Sequence, residues 1–380
     1  MKSRVLRLRD NWRPQDLEPV LAALRRDEVV IAPTDTVYGL VARAFSPKSF
    51  ETLDRIKGNR QIPYAIVFDS VAGLKEWYGT TNPFRRRVID ELLPGPASLV
   101  LPPPDSLPTR LHFDSNGIAV RVCSDRLYPE LARQLGEPLW ATSANRSGDP
   151  APTDFALIDL ELFAQVSMAV DAGVTAFGAP STVVDITRMP FRITRQGADW
   201  QRISGILNVA DRPLQVLVVC TGNICRSPLM AGMMTSLLGE PAASGISVTS
   251  AGTHASEGHP ATPYMVDIAA EWGFDLCSHR ARIITREILL ASDLILVAEP
   301  EHSSYIAILA PEVADRIHPA GRPAGLAAVP DPFGISREFY LQTADLIRVL
   351  SKLWVDELRA MVAEAGWTPQ LQFRAVSAAT

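Results

Sequence analysis

Cysteine is scarce in this chain, with four in 380 residues. That is too few for a disulfide framework at this length, and three of the four adjoin apolar strand-like or helix-like patterns. A reducing cytoplasm is the expected compartment. Long apolar runs are missing too: no stretch approaches the roughly 20 apolar residues a membrane helix requires, and the opening "MKSRVLRLRDNWRP" has no apolar signal core. The expectation is a soluble, unprocessed protein with no membrane partner. Histidine numbers six; His254 and His259 stand close, but no Cys or His pair at ligand spacing accompanies them, so no metal site is expected. Charge of one sign is also weak. The 37 basic and 42 acidic residues leave a formal charge of -5, which gives no overall pull toward nucleic acid and restricts RNA contact to a local basic groove.

What is present is a globular composition, 47% apolar and 21% charged, in a chain longer than a single core usually serves. An α/β protein of two domains is expected. From residue 28 the first half alternates strand-like segments ("EVVIAPT", "YAIVF", "SLVLP", "GIAVRV", "PLWATSA", "STVVDI", "FRITRQG") with fewer helices. One helix follows Ser46 as cap and Pro47, with Phe50, Leu53 and Ile56 at helical spacing. Strands in excess of helices predict a mixed sheet over residues 1–205. Residues 206–213, "ILNVADRP", read as a linker. Over 214–365 a regular strand–helix alternation, opening at "LQVLVVC" and closing with a long helix from about Ser336 to Ala365, predicts a doubly wound parallel sheet. Residues 366–380 read as a frayed tail.

Chemistry concentrates at "VVCTGNICRSPLMAGMM", 218–234. In an open parallel sheet, the loop from a strand's carboxyl end into a helix gathers backbone N–H groups on one spot, which suits an anion. Cys220 at its start would be held as a nucleophilic thiolate by those amides and the helix N-terminus. Arg226 would close the cradle with paired hydrogen bonds to phosphate oxygens. Gly222 would let the backbone curl around the anion, and Ser227-Pro228 reads as a helix cap with proline in the first helical position.

"CTGNICRSP" resembles the signature of the low-molecular-weight protein tyrosine phosphatases: Cys, five residues, Arg, then Ser/Thr-Pro. The resemblance runs over about 214–360 and includes "SAGT" (250–253), "SHRAR" (278–282) and "DPFG" (331–334). It implies Cys220 as nucleophile forming a cysteinyl-phosphate, Arg226 as transition-state clamp and Asp331 as general acid, with no cofactor and a phosphorylated protein as substrate. It further implies that Ser227 hydrogen-bonds the thiolate, that Asn223, held by Ser250 and His279, keeps the loop in its phosphate-ready shape, and that Cys225 can trap the nucleophile as a reversible disulfide. The stretch around "DPFGISREFYLQTADL" is similar to the bacterial branch that includes protein-arginine phosphatases. That subgroup has a threonine where this chain has Ile224, so phosphotyrosine is favoured over phosphoarginine. Phe333 would supply an aromatic wall. Arsenate reductases share the scaffold but need further cysteines, and only Cys277 follows the loop.

In the first half, "APTDTVYGL" (32–40), "ATSANRSGDPAPT" (141–153) and "GAPSTVVDITRMPFRITRQG" (178–197) collect hydroxyls, amides and glycines at strand ends, a set suited to an oxygen-rich ligand such as a nucleotide. In this order they resemble the YrdC-like threonylcarbamoyl-AMP synthases over about 10–205. The resemblance implies a twisted mixed sheet and a reaction joining L-threonine, bicarbonate and ATP, with Mg2+, for modification of tRNA. Thr34, Asp35, Thr36 and Tyr38 match its threonine-side motif. Lys57 and Arg60 match its phosphate contacts, Ser143 and Asn145 its Ser-x-Asn, Ser181 and Arg195 its nucleotide-side motif, and Arg121 a strand arginine. The chain departs from the family in three places: Arg60 is displaced by one residue, Cys123 stands for a proline, and Ala97-Ser98 replace a larger residue and threonine. The reading is a bifunctional enzyme; the alternative is a phosphatase whose first domain is a non-catalytic nucleotide- or RNA-binding regulatory module.

Overall fold

A computed structural model describes residues 4–9, 11–58, 64–79, 81–104, 117–146 and 148–369. The chain forms two compact units, Met1–Ala210 and Asp211–Thr380. Residues 206–210, expected to begin a linker, instead finish a helix, Trp200–Ala210, that buries Ile203, Leu207 and Ala210.

The first unit is built on ten strands: β1 Arg4–Arg7, β2 Val30–Pro33, β3 Tyr38–Arg43, β4 Ala65–Val67, β5 Ala97–Leu101, β6 Ile118–Arg121, β7 Leu139–Ser143, β8 Met168–Asp171, β9 Thr182–Asp185 and β10 Arg192–Arg195. They form one mixed sheet in the order β1-β8-β2-β3-β7-β4-β6-β5-β9-β10. β2 and β3 make an antiparallel hairpin with Pro33 opposite Tyr38, so Thr34–Val37 are its turn. The predicted helix appears as Pro47–Ile56, with the Ser46 hydroxyl accepting from the Ser49 N–H and Pro47 where a helix needs no N–H donor. Helices Glu18–Arg25 and Leu127–Leu135 supply Leu21, Leu24, Tyr128 and Leu131 to a core that includes Val30, Val41 and Leu139. β1, β3 and β8 were not anticipated; β1 is an exposed edge with no alternation to read.

The second unit has β11 Leu214–Cys220, β12 Ile246–Gly252, β13 Leu294–Val297 and β14 Ile317–Pro319, all parallel, in the order β12-β11-β13-β14. The doubly wound expectation holds. Leu217, Val219, Ile295 and Val297 alternate onto one face and pack with Leu289 and Ile306, as period-two side chains must. Helix Arg226–Leu238 packs against the closing helix Arg337–Ala365, which Ser336 caps by accepting from the Phe339 N–H. The start of the expected tail is anchored: Trp367 is buried, lies over Gly245, and donates its indole N–H to the Asp211 carbonyl at 3.1 Å.

Candidate active sites

β11 ends on Cys220, and the chain turns through 221–225 into helix Arg226–Leu238. The left-handed residue that makes this turn is Asn223, at φ 54°, and not Gly222. An asparagine tolerates that region when its side chain is hydrogen-bonded, and here it is held on every side. Its Nδ2 donates to Ser227 Oγ and Ser250 Oγ, both at 2.9 Å, and its Oδ1 accepts from the Arg282 N–H at 3.0 Å. His279 Nε2 lies 2.7 Å from its carbonyl. Because that acceptor is a carbonyl, Nε2 carries the proton, and burial lowers the His279 pKa, which favours the neutral ring. Gly252 is the glycine that the loop requires: a Cβ there would fall 2.5 Å from the Thr221 carbonyl oxygen and 2.9 Å from the Asn223 nitrogen.

Ser227 is not the helix cap. The helix begins one residue earlier, at Arg226, with Cys225 in the cap position and no side-chain cap bond. Its hydroxyl is needed elsewhere: Ser227 Oγ sits 3.0 Å from Cys220 Sγ and 3.3 Å from the Ala251 carbonyl. Cys225 is buried, with its sulfur 3.5 Å from Thr262 Oγ1 and 3.7 Å from Tyr340 Oη. Burial raises the pKa of that thiol and pushes Tyr340 up to about 12. Ile224 is half-buried.

Arg226 is buried and meets two carboxylates. Nη1 is 2.8 Å from Glu299 Oε2 and donates to the Val329 carbonyl at 3.0 Å, while Nη2 is 2.6 Å from Asp331 Oδ2. Its Nε has no partner among the described residues. Asp331 also receives the Phe333 N–H at 3.2 Å, and the Phe333 ring is exposed. Sequence reasoning missed Glu299 and His302. Glu299 follows the carboxyl end of β13, where an open parallel sheet gathers ligand groups, and that position was the available signal. His302, buried in helix Pro300–Leu309, accepts the Glu299 N–H on Nδ1 at 3.1 Å and places Nε2 3.0 Å from Thr221 Oγ1.

In the first unit a cavity of about 550 Å³ opens along one face of the sheet. Alternate residues line it: Ala65 and Val67 of β4, Ala119 and Arg121 of β6, Ala141 and Ser143 of β7. Small side chains at these positions, with Gly39 and Gly117, leave the space. Of the expected residues, Thr34, Thr36, Lys57, Arg121, Ser143, Asn145, Ser181 and Arg195 all border it. Lys57 Nζ donates to the carbonyls of Ser143 (3.0 Å) and Asn145 (2.6 Å). Arg195 Nη2 donates to Ser181 Oγ at 3.0 Å, and Ser181 pairs with Ser98 at 2.8 Å. Thr34 Oγ1 locks the hairpin turn by accepting from the Thr36 and Val37 N–H groups, both at 3.1 Å.

Two expected residues lie elsewhere. Tyr38 alternates into the core, fully buried, and donates to the Gly173 carbonyl at 2.7 Å; burial raises its pKa to about 12. Asp35 sits behind the lining, ion-paired with Arg121 and accepting the Ser124 N–H and hydroxyl at 2.9 and 2.7 Å. Arg60 lies outside the described residues. Asp35, Cys123 and Asp125 bring ligand atoms within 4.8 Å of one another, but Asp35 is committed to Arg121, and Asp125 accepts the N–H groups of Asp35 and Leu127. Burial, with the Asp35 charge, raises Asp125 to about 6, and burial drives Cys123 well above the usual thiol range. No described helix is long and apolar enough to cross a membrane.

Comparison with known proteins divides the chain at the same place. Residues 22–197 match the Sua5/YciO/YrdC family, described as telomere recombination, and 215–364 match the low-molecular-weight phosphotyrosine protein phosphatases. The low-molecular-weight protein-tyrosine-phosphatase Etp of Escherichia coli K12 is 35% identical over 143 residues, 38% of this chain and 93% of Etp. A Mycobacterium tuberculosis protein assigned as a threonylcarbamoyl-AMP synthase is 31% identical over 199 residues, 52% of this chain and 91% of that protein. The solved structure of P. abyssi Sua5 complexed with L-threonine aligns with a TM-score of 0.50 at 24% identity, over 58% of this chain and 72% of that one. That likeness establishes the shared fold.

Proposed function

Since the chain belongs to the threonylcarbamoyl-AMP synthase family through its first unit and to the low-molecular-weight phosphotyrosine protein phosphatases through its second, we propose a specific division of chemistry. The second unit removes phosphate from protein phosphotyrosine; the first joins L-threonine, bicarbonate and ATP with release of pyrophosphate.

The observation that carries the phosphatase reading is the convergence of Cys220, Ser227, Asn223 and Arg226 on one turn. Cys220 Sγ attacks the phosphorus, the phosphorus–oxygen bond to the tyrosyl group breaks, and the leaving phenolate takes a proton from Asp331. Water, giving its proton back to Asp331, then cleaves the cysteinyl-phosphate. Arg226 carries the charge that builds on the equatorial oxygens. Asp331 pairs with Arg226 at 2.6 Å; exchanging that guanidinium for a bound phosphate would let the carboxyl face the leaving group. Half-buried Ile224 and exposed Phe333 offer a phenyl ring apolar walls, which supports tyrosine over arginine. Replacing Cys220 with Ser should abolish hydrolysis of an aryl phosphate while preserving phosphate binding, and retained turnover would sink the assignment.

In the first unit, Lys57 and Arg195 face the cavity and can offset charge on ATP phosphates, Arg121 borders it with its charge paired to Asp35, and the hydroxyls of Thr34, Thr36, Ser143 and Ser181 suit the polar ends of threonine and ribose. Mg2+ would accompany ATP as counter-ion to its phosphates. Pyrophosphate release by the Cys220→Ser protein, measured with threonine, bicarbonate or both left out, tests this reading. Release that ignores threonine and bicarbonate contradicts it.

A further inference from the structure

The tight turn that opens helix Pro300–Leu309 grips the phosphate loop at two points. Glu299 reaches Arg226 Nη1 directly at 2.8 Å. Its backbone N–H, 3.1 Å from His302 Nδ1, fixes that nitrogen as an acceptor, so the imidazole proton resides on Nε2. Nε2 is 3.0 Å from Thr221 Oγ1, and Thr221 Oγ1 in turn lies 3.4 Å from Arg226 Nη2. Thr221 is the residue immediately after Cys220. The ring is buried, and burial together with Arg226 lowers its pKa, which favours the neutral tautomer that this geometry requires.

We propose that His302 is a positioning residue for the phosphatase reaction: by donating from Nε2 to Thr221, it sets the hydroxyl that braces the Nη2 side of Arg226, while Glu299 braces the Nη1 side. The clamp is thereby held in one orientation before phosphate arrives. Preorganisation of this kind acts on the transition state more than on binding, because the equatorial oxygens meet the guanidinium in a fixed plane only when the phosphoryl group is in flight. The inference rests on the phosphatase reading of this site and assigns it a residue outside the Cys-to-Arg loop.

A double-mutant cycle on the full chain with p-nitrophenyl phosphate tests it. His302→Ala is expected to lower kcat about tenfold, the scale of one lost hydrogen bond, with a smaller change in KM. Thr221→Val should cost a similar factor, and the double variant no more than the larger single loss. His302→Gln, whose amide can donate to Thr221, should recover most of the loss, whereas a ring needed only to fill space would not be rescued by a polar chain. Multiplicative losses in the double variant, or a Gln variant as slow as the Ala variant at an unchanged unfolding midpoint, overturn the proposal. Absence of turnover by the unsubstituted protein would instead strike the phosphatase reading itself.

Discussion

Asp331 Oδ2 lies 2.6 Å from Arg226 Nη2, and the two ends of the pair differ in exposure, 41% for the aspartate side chain against 2% for the arginine. The arginine is fixed, so the aspartate is the partner that can leave. On the proposed mechanism, Asp331 and phosphate would compete for the same guanidinium. Asp331→Asn should bind inorganic phosphate or vanadate more tightly, by up to about fivefold, the range of a partly solvated ion pair. Its turnover of substrates with poor leaving groups should fall sharply. Competitive inhibition constants check this; unchanged inhibition would mean that the pair does not gate the site.

The loop rests on the bare Cα of Gly252. Gly252→Ala places a methyl 2.5 Å from the Thr221 carbonyl oxygen and 2.9 Å from the Asn223 nitrogen. Backbone atoms cannot yield as a flexible side chain does, so about 1–3 kcal/mol of stability should be lost. Turnover of an aryl phosphate should fall with it, as the Asn223 turn is pushed out of shape. Denaturant unfolding and kcat measured on the same preparation decide the matter; a stable, fully active variant would contradict the contact.

In the first unit, the Arg121–Asp35 pair is buried on both sides. Arg121→Met leaves the Asp35 carboxylate desolvated with only Ser124 to satisfy it, and removal of one partner of such a pair costs about 3–5 kcal/mol. Denaturation followed by tryptophan fluorescence should register that loss, and a cost below about 1 kcal/mol would show that water reaches the site.

The pH dependence of the second unit follows from two histidines whose pKa values folding lowers, His279 and His302, in both cases chiefly through burial. The unfolded chain takes up protons at these rings before the folded one does. Their contribution is complete above the ordinary histidine value near 6.5 and declines as pH falls below it toward the lowered folded values. The unfolding midpoint should therefore drop between about pH 7 and pH 5, and the drop should shrink in the His279→Gln variant. An identical pH slope in that variant would remove His279 from the account.

The phosphate loop was legible because its chemistry is written within nine consecutive residues. β11 ends on Cys220 where the apolar run ends, and Asn223, Ser250 and His279 meet in space. Local rules misplaced two details. Gly222 looked like the flexible residue because glycine usually is, but Asn223 has the hydrogen bonds that sustain a positive φ. Ser227 looked like a cap because Ser-Pro usually is, but its hydroxyl serves Cys220. Glu299 carries one sequence signal, its place just after a strand end, but its task and that of His302 depend on β13 lying beside β11, which no short window reveals. Tyr38 stands within a polar motif that suggests a ligand contact, but strand alternation turns it inward.

Trp367 and Asp211 join the last described turn of the second unit to its first residue. A fold whose entry and exit meet can be excised whole, appended to another chain, or dropped into a surface loop, because neither junction has to cross its interior. In the second unit Asp211 and Trp367 meet that condition.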